Sequence, residues 1–244
     1  TLGVGSDYNE ALMTEIAVQG RGRFYHVQVA NQIVPYLTSE LGEAADLAAR
    51  QVQIQIRLPQ GALLVPLSAS YQAELVDGRA VISIGDIPRD LEVEIPLRLT
   101  LLTGKAGQRL SVEGEVSYTT PAGNLLTALL NGVTVRMVAP EKFQLREGVV
   151  LPVAEQVARQ MRAAQVLQYS RAMARSAPAE LQRAEQDRVK LREYLGLLGE
   201  EVADKMVAEM DDQIYAVRAA SPAAKSVMAN AFQAQRFMRK RDKD

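Results

Sequence analysis

The chain has 244 residues, 48% of them hydrophobic, with a formal net charge of −1 and a pI near 6.0. That length can bury a sizeable core in one or two domains, and the near-neutral charge argues against nucleic acid or an anionic membrane as partner of the chain as a whole. With no Cys, no Trp and a single His, disulfides, thiolate catalysis and Cys- or His-rich metal sites are excluded, and no run of 18 apolar residues is present to span a bilayer.

The first stretch, residues 1–51, reads strand, helix, strand, helix. TLGVG is a short apolar strand ending in glycines. Asp7 and Glu10 have capping-box spacing for a helix over 8–19, with Leu12, Met13, Ile16 and Ala17 expected on its packed side. Gly20 and Gly22 stop it. FYHVQV is the next strand, followed by a helical stretch, ANQIVPYLTSELGEAADLAAR, with a break expected near Gly42. Such alternation implies a parallel sheet covered by helices. Two units are too few to close that architecture, so a complementary half is expected before Thr1. The strands 1–4 and 24–29 are expected to lie side by side, with other residues covering their free edge.

Over residues 52–140 the period changes to two. Val52, Ile54, Ile56 and Leu58 share one face, and LEVEIPLRLTL, LSVEGEVSY and VTVRMV repeat the alternation. The Asp77-Gly78 pair is a tight-hairpin signal joining SYQAEL to RAVISIG. Pro96 sits at an outward position of its strand and suggests an edge. One-sided alternation in several strands reads as an antiparallel β-sandwich. Residues 149–244 return to helical period, with breakers at 176–178, 195–200 and 219–224 leaving four helices. In the third, Val202, Met206, Met210, Ile214 and Val217 form one stripe. The fold class expected is therefore mixed and multi-domain: a partial α/β segment, an antiparallel β-sandwich and a C-terminal helical bundle.

TLGVGSDYNEALMTEIAVQGRGRFYHV resembles the C-terminal half of a bacterial von Willebrand factor type A (vWA) domain. The resemblance rests on the GVG strand end, the YNE-x-LM-x-x-IA helix, the G-x-G-x-(F/Y) break and the helix ending in SELG. A β-sandwich and a helical tail follow this domain in many bacterial proteins of the group. The resemblance implies an adaptor that binds a protein partner through a metal-ion-dependent site. Without a joint nucleophile, base and oxyanion donor or a cofactor loop it is expected to be non-enzymatic, and the lack of Cys is compatible with a cytoplasmic location. By analogy the partner is a MoxR-type AAA+ ATPase. The family's ligands come from a D-x-S-x-S loop and two later loops, and hard oxygen donors suit Mg²⁺. The chain contains no D-x-S-x-S, so no metal ligand, cofactor site or catalytic residue is assigned to it. Mg²⁺ is expected only in the intact parent.

Other features have plainer explanations. Ser6, Asp7 and Glu10 could suggest an oxygen-rich metal cluster, but helix capping accounts for the acids. His26 has no nucleophile motif beside it. Glu209, Asp211 and Asp212 point in different directions from one helix and do not converge as a catalytic pair. The terminal RFMRKRDKD offers Arg236, Arg239, Lys240 and Arg241 as partner-contact residues, weighed against a solvated helix end favoured by the helix dipole. The alternative function is a self-assembling structural component whose C-terminal helices form a homo-oligomer.

Overall fold

The computed structural model describes residues 1–20, 22–68, 70–101, 104–143, 149–219, 224–236 and 238–240. The chain divides into two compact units. One comprises residues 1–38, 68–70 and 148–237, and the other comprises 39–67, 71–147 and 238–244. Where the sequence pattern falls into three stretches, the contacts group the leading segment with the helical one, because the two contribute to one apolar cluster.

In the first unit, β1 (Leu2–Val4) and β2 (Tyr25–Val27) pair in parallel, Leu2 opposite Tyr25 and Val4 opposite Val27. The helix α1 (Glu10–Gln19) connects them. Its cap departs from the expected capping box: Asn9 is the N-cap residue, its side chain accepting from the Leu12 N–H at 3.0 Å. Asp7 instead accepts from the Ser6 hydroxyl at 2.9 Å. The packed face of α1 agrees with expectation in part. Ala17 is buried and Met13 packs against the same core, joined by Thr14, whereas Leu12 is 54% and Ile16 49% exposed. The helix carries apolar residues on two sides, and neighbouring helices cover the side of Met13 and Ala17.

Four further helices belong to this unit, α3 (Leu151–Ala174), α4 (Pro178–Leu195), α5 (Glu200–Arg218) and α6 (Ala224–Arg236), and α1 packs on α3 and α6. Pro152 and Pro178 stand in the first turns of α3 and α4, where a missing N–H costs nothing. One core cluster joins Ala17 and Phe24 to Val166, Leu167, Met228 and Phe232. Phe24 meets Phe232 edge-on, ring centroids 6.5 Å apart. A second cluster holds Tyr169, Leu191, Leu195, Met210 and Ile214. The lower part of the α5 stripe, Met210, Ile214 and Val217, is thus filled within this chain.

The helix α2 (Ile33–Ala45) runs unbroken through Gly42, against expectation, and buries none of its residues. The LAAR that follows belongs to β3 (Leu47–Arg57), which therefore starts earlier than the period-two pattern indicates. Strand pairing overrides the helix preference of Ala48 and Ala49: Leu47 lies opposite Pro88 and Ala49 opposite Ile87.

The second unit is built on an antiparallel sheet with β3 at its centre. Its strands are β5 (Ala73–Val76), β6 (Arg79–Pro88), β9 (Arg109–Thr119), β10 (Leu125–Leu129) and β11 (Val133–Arg136), in the order β10-β9-β3-β6-β5 with β11 also on β9. Asp77 and Gly78, both at positive φ, make the expected turn between β5 and β6. A separate ribbon pairs β4 (Ala62–Pro66) with β8 (Leu97–Leu101). Val52, Ile56, Ile82 and Ile84 of the sheet and Leu64 of the ribbon share one core. The expected single strand over 91–101 is split into β7 (Leu91–Val93) and β8, with Pro96 between them and its carbonyl accepting from the Leu67 N–H at 2.9 Å. β12 (Met238–Lys240) pairs with β7. The strand β10 was not expected from the sequence pattern.

Candidate functional site

Among the described residues, a polar cluster forms where β1 and β2 end, the end of parallel strands at which open α/β sheets place ligands. The chain after β1 turns back through residues 5–9 and sets the Tyr8 ring against Gly3. A Cβ on Gly3 would lie 2.3 Å from that ring, so only glycine permits the approach. The Tyr8 oxygen is 2.6 Å from His26 Nδ1. In the tautomer with its proton on Nε2, His26 accepts from the Tyr8 hydroxyl. From α6, the Lys225 ammonium sits 4.0 Å from the Tyr8 ring centroid, donates to the Tyr8 carbonyl at 3.1 Å and pairs with Glu10 at 2.5 Å.

These surroundings set the ionisation of both rings. Burial, reinforced by the Glu10 charge, raises Tyr8 to about 12, so its proton stays on. Burial and then Lys225 lower His26 below its usual value, with Glu10 opposing. The neutral forms of both are favoured, and the cluster holds one hydroxyl, one imidazole and one ion pair. That arrangement ties α1, β2 and α6 together. Among the described residues, the hydroxyl bonded to the imidazole is that of Tyr8.

The residues singled out in the sequence are distributed as follows. Glu10 turns to Lys225 while Ser6 and Asp7 bond to each other, so the three do not converge. His26, expected without a partner, has Tyr8. Of the α5 acids, Asp211 accepts from Arg188 and Arg192 at 2.6 and 2.7 Å and Glu209 pairs with Arg162, while Asp212 is exposed, as expected of a solvated face. Arg236 closes α6, Arg239 and Lys240 fall in β12, and Arg241 lies outside the described residues. Among the described residues, no group of three or more His, Asp and Glu is placed to hold a metal ion, and no helix is long and apolar enough to cross a membrane.

Two further surfaces consist mostly of residues not singled out in the sequence. In the second unit, a cleft of about 90 Å³ is lined by Gln55, Arg57, Arg79, Glu113, Glu115 and Leu129. Arg79 reaches Glu115 at 2.8 Å and Gln55 at 3.2 Å across it. The leading segment also leaves apolar side chains in solvent: besides Leu12 and Ile16, these are Val34, Leu37 and Leu41 of α2, Val4 at the end of β1 and Val29 beyond β2. The signal for the α2 stripe was legible, since 34, 37 and 41 follow helical spacing.

No protein-family model matches the sequence, and no curated protein matches it either. Among solved structures, that of a von Willebrand factor type A protein from Catenulispora acidiphila is similar, with a TM-score of 0.58 at 15% sequence identity. The likeness covers 98% of this chain, which spans 58% of the length of that structure. The fold is vWA-like.

Proposed function

We propose that this chain is the C-terminal portion of a vWA-type interaction protein, a non-enzymatic adaptor whose partner-binding metal site is held by residues outside this sequence. The observation that supports the reading most is the apolar surface left on the leading segment. Parallel sheets are covered on both faces, and helices α1 and α2 keep Leu12, Ile16, Val34, Leu37 and Leu41 uncovered. Further strands of an α/β sheet would bury such side chains, each contributing about 1.5–3 kcal/mol.

The residues present do not fit the family's metal. Ser6 and Asp7 satisfy each other, Glu10 is neutralised by Lys225, and no D-x-S-x-S loop occurs. Mg²⁺ would be bound elsewhere in the parent. The antiparallel strands of the second unit are read as the β-sandwich of the group, and the helices α3–α6 as its tail. A MoxR-type AAA+ ATPase is the partner class the resemblance brings.

The test compares the 244-residue chain with a longer parent carrying its preceding coding sequence, each titrated with that ATPase in Mg²⁺ and in EDTA. The parent should bind only with Mg²⁺, and the chain alone should not bind. Equal binding by the chain in EDTA would place the partner site among these residues and overturn the reading.

A further inference from the structure

The sheet of the second unit ends in two unlike edges. At one end β5 is short and carries Glu74, with Asp77 in its turn. Such charges discourage strand addition. At the other end β10 and β11 run along β9, and from residue 116 to residue 135 the chain contains no charged side chain. Every residue of β10 is exposed, Leu125 to 73% and Leu129 to 85%. Among the described residues, no strand pairs with its outer side.

The register settles which backbone groups face outward. Leu125 lies opposite Thr119 and Leu129 opposite Glu115. The Thr120 N–H donates to the Asn124 carbonyl and the Leu130 N–H to the Gly114 carbonyl, at 2.8 and 2.9 Å. Residues 124 and 130 therefore bond toward β9, and by the alternation of an antiparallel ladder so do 126 and 128. The N–H and C=O groups of Leu125, Thr127 and Leu129 point to the open side.

From this geometry we infer that β10 pairs antiparallel with β10 of a second copy of the chain, about a two-fold axis at Thr127. The segment is its own complement. Leu125 meets Leu129 of the other copy, Thr127 meets Thr127, and Leu126 meets the small Ala128, so large and small side chains alternate across the axis. Leu–Leu and Thr–Thr are favourable cross-strand pairs, and no like charges face each other. Each copy contributes three outward N–H groups and three carbonyls, which satisfy one another. The two sheets become one continuous sheet, and a closed, isologous dimer removes the exposed edge.

Sedimentation equilibrium of the full chain tests this. The wild type should approach twice the 26.7 kDa chain mass as concentration rises. Thr127→Pro removes an N–H that faces the open side and spares the ladder to β9, so it should return the mass to that of one chain with an unchanged circular dichroism spectrum. Should the proline variant fail to fold, Thr127→Lys, which sets two ammonium groups across the axis, should give the same loss. A wild type that stays monomeric at every concentration overturns the inference. So does a dimer that persists in either folded variant, since its interface must then lie elsewhere.

Discussion

The two units bury their cores by different routes. In the β unit, side and burial are decided within each strand: β6 buries Ala80, Ile82 and Ile84 at every second position while its neighbours are more open. In the first unit, burial is decided by which distant segment arrives. α1 covers Thr14 and Ala17 and leaves Leu12 and Ile16 in solvent, because α3 and α6 approach one face only. A periodic pattern thus tells which positions want cover, but it tells what covers them only where the partner strands share the same rule.

The sharpest way to break this contrast is Phe232→Ala. Phe232 of α6 is buried against Phe24, near the other end of the chain. Its truncation should destabilise the first unit by roughly 3–5 kcal/mol, read as a shifted urea midpoint for that unit and an unshifted one for the β unit. A common shift of both would show that they do not melt separately. Next in size is Gly3→Ala. Its new methyl would run into the Tyr8 ring, and overpacking of this kind costs about 1–3 kcal/mol. An unchanged melting temperature would mean that Tyr8 does not rest on Gly3.

Asn9→Ala should cost on the order of 1 kcal/mol, whereas Asp7→Ala should cost less, because only Asn9 caps α1. The reverse ranking would restore the capping box expected from the Asp7–Glu10 spacing. The smallest effect is expected at Leu12→Ser with Ile16→Ser. At exposed positions these should change stability by only about 0.5 kcal/mol, while lowering binding of a hydrophobic dye. A loss of several kcal/mol would show that the open face of α1 is packed after all.

Acid provides a separate test of the first unit. His26 is held below its ordinary value by burial and Lys225, so the unfolded chain takes up its proton first. The stability it contributes is present above about pH 6.5, the value of an unperturbed histidine, and falls as the pH drops through and below that range. Thermal melts of wild type and His26→Gln should therefore converge on acidification. Parallel pH profiles would show that His26 has no part in the acid response.

Much of the fold was legible. The breakers at 176–178, 195–200 and 219–224 separate helices at the observed places, and Asp77-Gly78 makes its hairpin. Where legibility failed, a longer-range contact had overruled a local signal. LAAR pairs with β6 although alanine favours helix, and Pro96 splits an alternating run where its carbonyl serves the Leu67 N–H. β10 escaped because LLTALL does not alternate; as an exposed edge strand it has no buried face to enforce a period of two. Of the polar cluster, Glu10 and His26 were visible as residues, but Lys225 is some two hundred positions away and nothing local links it to Tyr8.

Native-state hydrogen exchange of the wild-type chain across a denaturant series tests the central claim most directly. If the leading segment depends on the helical tail for its core, the amides of β2 and α6 will open together with one free energy, distinct from that of β3, β6 and β9. Protection of β1 and β2 that survives the opening of α6 would contradict it.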